Sequence, residues 1–302
     1  MKNYDIIVVG GGPAGMTAAL YSLRNDRKVL VLEKENFGGQ IAISPRLENF
    51  PSIKEISGMD FSNNLFEQIT SLGAEFNLED VLDIKKENDS FIVKTNYNTY
   101  SSKIVMLATG VKHRHMGIAR EEELVGHGVS YCATCDGAFY KNEDVVVIGD
   151  ANSALQYALM LSNYCKSIHI CTLFDKWFAD KLLVDQLSSK KNITYEHNLS
   201  LKSFDGEKEL TGLTFVNTKT NEIKKFNCKG VFIAIGQIPD NKRFENLVDL
   251  DKNGFIITND NMETKTPGLY AIGDCRQKDI RQVVTALNDG AIAAVIANKY
   301  LQ

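Results

Sequence analysis

The chain is predicted to be an α/β protein of two nucleotide-binding-type domains, and three observations carry that expectation. A short apolar strand, Asp5–Val9, runs into the turn Gly10-Gly11-Gly12-Pro13-Ala14-Gly15 and a small-residue helix over Pro13–Leu23. A second such unit starts at Asp144–Ile148, breaks at Gly149 and has its return strand at Ser167–Cys171. Two more apolar runs end in glycine, Ile104–Leu107 before Ala108-Thr109-Gly110 and Val231–Ile235 before Gly236. Strands alternating with helices favour a mostly parallel sheet covered on both faces, Rossmann-like in each half.

The other elements fall between these. Arg27–Leu32 is a strand ending at Glu33, and Gly38-Gly39-Gln40, Pro45 and Pro51 mark turns. Phe61, Leu65, Ile69 and Leu72 recur at helical spacing. The helix after Gly149 extends to about Asn163, Gly268–Asp274 reads as a strand and turn, and Gln282–Tyr300 as an amphipathic helix. With 302 residues, 44% of them hydrophobic, the chain can bury two cores.

Composition removes several classes of function. A net charge of −4 makes no case for nucleic acid, which demands a concentrated basic face. No apolar run approaches the ~18 residues of a membrane span. The N-terminus passes straight into a strand with no cleavable leader, so a cytoplasmic location is expected. Six cysteines are too few and too scattered for a secreted disulfide framework.

The first glycine turn has the G-x-G-x-x-G pattern at a strand-to-helix junction. Gly10 permits the tight turn, Gly12 lets a pyrophosphate approach the backbone, and Gly15 allows the helix to pack on the strand. Pro13 opens the helix, and the amides that follow it, Ala14 first, turn the positive end of the dipole towards phosphate. Glu33 stands 23 residues after Gly10, placed to accept ribose hydroxyls, with Lys34 beside it. The motif does not distinguish FAD from NAD.

Cys132-Ala133-Thr134-Cys135-Asp136 has the spacing of a small redox disulfide. Exchange needs one thiolate to attack a partner disulfide and another to resolve the mixed disulfide. Half of a zinc site is the competing reading, disfavoured because no second CxxC or spaced Cys/His pair completes four ligands; no metal is expected. Asp136 is either a helix cap or a proton donor to a leaving thiolate.

The segment from Gly128 to Gly137 resembles the redox loop of the low-molecular-weight thioredoxin reductases almost letter for letter. Gly38-Gly39-Gln40 with Glu48-Asn49-Phe50-Pro51 resembles that family's flavin-side loop, and Gly273-Asp274, Arg281-Gln282 and Asp289-Gly290-Ala291 resemble its C-terminal FAD motif. The resemblance implies FAD bound by a domain made of residues 1–113 and 243–302, a central redox domain of 114–242 inserted in it, and a homodimer that reduces thioredoxin. By matched position Cys135 faces the flavin, Cys132 attacks thioredoxin and Asp136 is the acid. Asp274 reaches the flavin ribitol, Arg281 and Gln282 the isoalloxazine, and Gly39, Gln40, Asn49, Ala108, Thr109 and Gly110 complete the candidate cofactor contacts. The joins between domains fall near Lys112–Arg114 and Asp240–Arg243.

The second turn departs from the family. It reads Gly149-Asp150-Ala151-Asn152-Ser153-Ala154, so a methyl group and a carboxylate stand where pyrophosphate should approach, and Gln156 and Tyr157 replace an acidic pair. Thr172 takes the place of the ribose acid, and Thr172, Leu173, Phe174 and Phe178 fall on the family's His-Arg-Arg-x-x-x-Arg positions. Both the acid suited to NAD and the arginines suited to NADP are missing. The cluster Phe174, Trp177 and Phe178 fills a disused pocket, docks a partner or stacks a second flavin. Relatives with such losses take electrons from ferredoxin or hold a second flavin, and ferredoxin is the expected donor here. An NAD(P)H-dependent enzyme with a divergent pocket, a diflavin enzyme and a flavin-binding scaffold are the alternatives. Lys242, Arg243, Arg276, Lys278 and Arg281 are the expected basic face for an acidic ferredoxin.

Overall fold

In the computed structural model, which describes residues 1–44 and 47–301, the chain divides into two units. Met1–Lys112 and Ile238–Gln302 make the first, and His113–Gln237 makes the second, so the second interrupts the first. Pro45, read as a turn residue, lies outside the described residues.

The first unit is organised around β1 (Lys2–Val9), which pairs in parallel with β2 (Val29–Glu33) on one side and β6 (Thr99–Leu107) on the other. β3 (Glu75–Leu78) extends the sheet beyond β2. β4 (Val81–Glu87) and β5 (Ser90–Thr95) add an antiparallel meander to β6, and β17 (Leu269–Ala271) pairs with the end of β6. Side chains alternate across a strand, so β1 serves two cores. Ile6 and Val8 are buried with Ala14 and Ala18 of α1 (Pro13–Leu23) and with Ala293 and Ala297 of α6 (Val283–Tyr300). Ile7 and Val9 are buried on the opposite face with Val81, Phe91 and Val248. Small residues let α6 lie close on α1: a methyl at Gly290 would stand 2.3 Å from the Ala14 carbonyl oxygen. α2 (Gly58–Thr70) starts at Ser57, whose hydroxyl accepts the Asp60 amide.

The chain crosses between the units within β7 (Lys112–His113) and again within β16 (Gln237–Ile238). In the second unit β8 (Val129–Ser130) leads into a single turn, α3 (Ala133–Asp136). β9 (Asp144–Ile148), β10 (Ser167–Cys171), β11 (Ile193–Glu196) and β15 (Gly230–Ile233) form with β8 a parallel sheet in the order β11-β10-β9-β15-β8. α4 (Asn152–Leu161) and α5 (Lys181–Ser188) connect its strands, and Ala154, Leu155, Ala158 and Leu161 of α4 share a core with Val145 and Val147. The other face of β9 packs with β12 (Leu199–Asp205) and β13 (Gly212–Asn217), which form an antiparallel sheet with β14 (Ile223–Asn227).

The architecture is the α/β fold expected, with two Rossmann-like units. Both boundaries differ from expectation: residues 238–242 belong to the first unit rather than to the central one, and His113 to the second. Asn241 explains the former. It is fully buried, accepts the Thr109 hydroxyl at 3.0 Å, and donates to the carbonyls of Gly254 at 2.9 Å and Cys275 at 2.8 Å. No helix among the described residues is long and apolar enough to cross a membrane.

Asn241→Ala leaves two carbonyls without their donor and is expected to lower the unfolding free energy by about 2–3 kcal/mol, with an unchanged urea m-value. Urea denaturation followed by circular dichroism measures this; a loss below about 0.5 kcal/mol would mean that the carbonyls find other donors.

Candidate active site

The glycines of the first turn have separate reasons to be glycine. Gly10 has φ +115°, and a methyl there would stand 2.2 Å from the Ala108 carbonyl oxygen. At Gly15 a methyl would stand 2.0 Å from the Gly10 carbonyl oxygen. At Gly12 the nearest atom would be the Gly39 Cα, 4.0 Å away, so the protein itself leaves that approach open. No side chain caps the first turn of α1, and no acidic residue lies in it. An open backbone approach in front of an uncapped helix start suits a phosphate.

Glu33, expected to reach a ribose, is also tied to the turn. Its Oε2 accepts the Gly11 amide at 2.7 Å and its Oε1 the Glu35 amide at 2.9 Å, and each oxygen keeps a lone pair for a further donor. A small cavity beside it is lined by Gly10, Glu33, Lys34, Thr109, Asp240 and Arg243. Among these lining groups the Lys34 ammonium pairs with Asp240 at 3.1 Å. Gly110 closes the strand end with φ +64°.

The C-terminal motif folds towards the same unit. Asn49 donates to the Gln282 Oε1 at 3.1 Å, bringing two expected contacts together, whereas Gln40 is exposed. The Arg281 guanidinium lies 4.1 Å over the Phe255 ring, and its Nε donates to the Asp274 carbonyl at 3.3 Å. Asp274 follows Gly273, which has φ +73°. Its Oδ1 is buried without a hydrogen bond; Lys278 Nζ, 3.4 Å away, is at ion-pair distance but not aligned to donate. Burial raises this carboxyl above its ordinary range, against the pull of Lys278 and Arg281. A buried acceptor without a donor beside an open phosphate approach fits a bound dinucleotide cofactor.

The expected basic face is not free. Arg276 and Lys278 both donate to the buried Asp289, at 2.9 and 3.1 Å, and Asp289 also accepts the Gly273 amide at 3.1 Å. Arg243 is paired with Asp80 at 2.8 Å and with Asp240. Of the five cations named, Lys242 alone is exposed, and the other four are half-buried. The sequence shows the charges but not their partners, which stand between 3 and 163 residues away.

In the second unit Cys132 and Cys135 are joined as a disulfide, with Cα atoms 5.3 Å apart. The Cys135 amide points at the Cys132 sulfur at 3.2 Å. Asp136 accepts the Ser130 hydroxyl at 2.6 Å, and Ser130 in turn accepts the Cys132 amide at 3.0 Å. Ser130 therefore ties the candidate acid to the backbone of the first cysteine, a link not foreseen although Ser130 stands two residues before Cys132. Burial raises the Asp136 carboxyl above its ordinary range, with the Ser130 hydrogen bond opposing. Cys165, Cys171, Cys228 and Cys275 are free and buried.

The second glycine turn keeps the fold role, and groups of the same unit pack against it. Gly149 has φ +149°, and a methyl would stand 2.5 Å from the Ala234 carbonyl oxygen, as at Gly10. Ala151, in the place of Gly12, forms an isolated β-bridge with Phe178, whose amide donates to the Asp150 carbonyl at 2.7 Å. Asn152 and Asp180 exchange hydrogen bonds at 2.8 and 2.7 Å across the same turn. Thr172 is fully buried, bonded to the Phe174 carbonyl and to His197. The aromatic cluster splits: Trp177 packs edge-on against Tyr195 and His197 as filler, while Phe174 and Phe178 are 51% and 54% exposed.

The pyridine nucleotide-disulphide oxidoreductase family matches residues 4–290. The chain is 38% identical over 302 residues to the thioredoxin reductase of Bacillus subtilis, covering all of this chain and 96% of that one. It is equally identical to the 34.2 kDa protein in the rubredoxin operon of Clostridium pasteurianum, covering 99% and 98% of the two chains. The crystal structure of thioredoxin reductase from Streptococcus pyogenes is similar with a TM-score of 0.96 at 36% identity, covering 99% and 98%.

The contrast among the glycines is testable on ligand-free protein. Gly10→Ala and Gly15→Ala should each lower Tm by roughly 5 °C or more, and Gly12→Ala by no more than about 2 °C. Equal losses at all three positions, measured by calorimetry, would remove the case for a vacant approach at Gly12.

Proposed function

The chain belongs to the pyridine nucleotide-disulphide oxidoreductase family as a homologue of thioredoxin reductases, and on that premise we propose that reduced ferredoxin, not NADPH, supplies its electrons. The enzyme is a flavin disulfide oxidoreductase with FAD as cofactor and thioredoxin as partner. The observation carrying the choice of donor is the closed second turn, where Phe178 bridges to Ala151 and Asn152 locks to Asp180. With no arginine at 172–174 or 178, nothing there replaces the bidentate hold on a 2′-phosphate. A protein donor needs no such pocket.

In this reading Gly10, Gly12, Pro13, Ala14 and Gly15 hold the pyrophosphate and Glu33 and Lys34 flank the ribose. Asp274, Arg281, Gln282 and Asn49 face the flavin side, with Gly39, Gln40 and Ala108-Thr109-Gly110 around them. FAD held there would supply the conversion between the one-electron chemistry of two ferredoxins and the two-electron reduction of the Cys132–Cys135 disulfide. Two electrons and two protons turn that disulfide into two thiols. The Cys132 thiolate then attacks thioredoxin's disulfide, expelling one partner thiolate, and Cys135 displaces the second, restoring its bond to Cys132. Asp136 gives the departing thiolate its proton. Its raised carboxyl keeps the proton to higher pH than an exposed aspartate does. The same reading takes the enzyme as a cytoplasmic homodimer; the free thiols agree with a reducing compartment.

Anaerobic turnover with one donor at a time tests the proposal. Reduced ferredoxin should support thioredoxin reduction, and millimolar NADPH or NADH should be slower by about a hundredfold or more. Because Arg243, Arg276 and Lys278 are already paired, the ferredoxin rate should fall only shallowly with salt. Efficient NADPH turnover would overturn the donor, and failure of all three alongside two FAD per chain would favour the diflavin enzyme.

The cysteine and acid roles are separable. Cys135→Ser should still trap a mixed disulfide with a thioredoxin lacking its resolving cysteine, and Cys132→Ser should not. The exchange rate should fall as pH rises through the elevated Asp136 pKa, and Asp136→Asn should lose that dependence with about a 10²-fold slower step, read by rapid mixing.

A further inference from the structure

Glu121 is 3% exposed, and a buried carboxylate is costly unless donors surround it. Its donors come from two separate stretches of the second unit. The amides of Met116 and Gly117 reach it at 2.8 Å each, and the Tyr131 hydroxyl at 2.7 Å. One carboxylate thus fastens the residues just inside the crossing at His113 to the residue immediately before Cys132.

Tyr131 is held at more than its hydroxyl. Its ring stacks on His113 at 5.1 Å with planes 17° apart, its oxygen lies 3.0 Å from His115 Nδ1, and its carbonyl accepts the Tyr157 hydroxyl at 3.1 Å. Burial and the bond to Glu121 raise the phenol, so it remains a neutral donor throughout the working range. Ring packing alone would be met by phenylalanine, and the two-residue spacing of the redox pair makes no demand on position 131. The hydroxyl therefore serves neither. What it can serve is the next residue, whose sulfur lies 3.2 Å from the Cys135 amide. A thiolate accepts such a bond more strongly than a thiol does, so holding the sulfur in reach of that amide favours the nucleophilic form.

We propose that Glu121 and Tyr131 are positioning residues for Cys132, clamping the chain ahead of it so that its sulfur stays within reach of the Cys135 amide. The proposal rests on reading Cys132 as the thiol that attacks thioredoxin. The charged and titratable groups around the clamp are His113, His115, Glu121, Glu122, Tyr157 and Asp136.

The test uses the FAD-loaded protein carrying Cys135→Ser, in which Cys132 is the reactive thiol and the other four cysteines are buried. Iodoacetamide alkylation of Cys132 is followed against pH with and without Tyr131→Phe. Tyr131→Phe should move the profile to higher pH and slow alkylation at pH 7 by about three- to tenfold, with an unchanged far-ultraviolet spectrum. Glu121→Gln should do the same, since one of its two atoms becomes a donor facing amides, and combining the two should add little because they act through one contact. Should Glu121→Gln fail to fold, Tyr157→Phe removes the anchor on the Tyr131 carbonyl and should shift the profile in the same direction. Superimposable profiles for a folded Tyr131→Phe protein overturn the clamp. Failure of the Cys135→Ser protein itself to trap thioredoxin would instead overturn the role of Cys132, with the alkylation comparison still readable.

Discussion

Gly10 lies against the Ala108 carbonyl and Gly15 against the Gly10 carbonyl, so β1, β6 and α1 meet with no space for side chains between their backbones. Everything in the first unit is arranged around that closeness. It brings the start of α1 to the ends of two parallel strands, the place where ligands of such sheets bind. It also obliges α1 to be rich in small residues, which in turn lets α6 approach through Gly290 and carry Arg281 and Gln282 to the same end of the sheet. The vacancy at Gly12 has meaning only because its two neighbours in the motif are crowded.

The second unit has the same constraint with the opposite outcome at one position. Gly149 is as crowded as Gly10, and Ala154 packs where Gly15 would, so the strand–turn–helix survives. Ala151 is where the two turns part. Its backbone is bridged to Phe178, and the segment after β10 folds back to satisfy the turn from within the chain. A turn whose polar groups find partners within the chain keeps its shape without help from a ligand. The redox loop in the same unit depends on buried polar groups that answer one another: Asp136 with Ser130, Glu121 with Tyr131, and Tyr157 with the Tyr131 carbonyl.

Elements with strong periodicity were legible before any coordinates: β9 and β10 at their full lengths, α1 over Pro13–Leu23, and α6 to within one residue. The meander β4–β5 and the sheet β12–β14 are not legible in the sequence, because their strands are partly exposed and carry no motif. Sequence puts the second crossing at 242/243 and the structure puts it at 237/238, since Asn241 resembles any loop asparagine until its buried partners at Thr109, Gly254 and Cys275 are in place.

By itself the sequence determined the α/β class, the two glycine turns, the redox pair and the absence of arginine at 172–174 and 178, because each depends on residue identity over a few neighbouring positions. Tertiary structure alone decided which charges remain available. Arg276, Lys278 and Arg243 read as a basic face, yet Asp289, Asp80 and Asp240 neutralise them. It alone decided that Phe174 and Phe178 stay exposed while Trp177 fills, and that Glu121 reaches the residue before Cys132. Charge pairing, exposure and hydrogen bonding act across space between segments distant along the chain, and no local pattern of residues records which distant group will arrive.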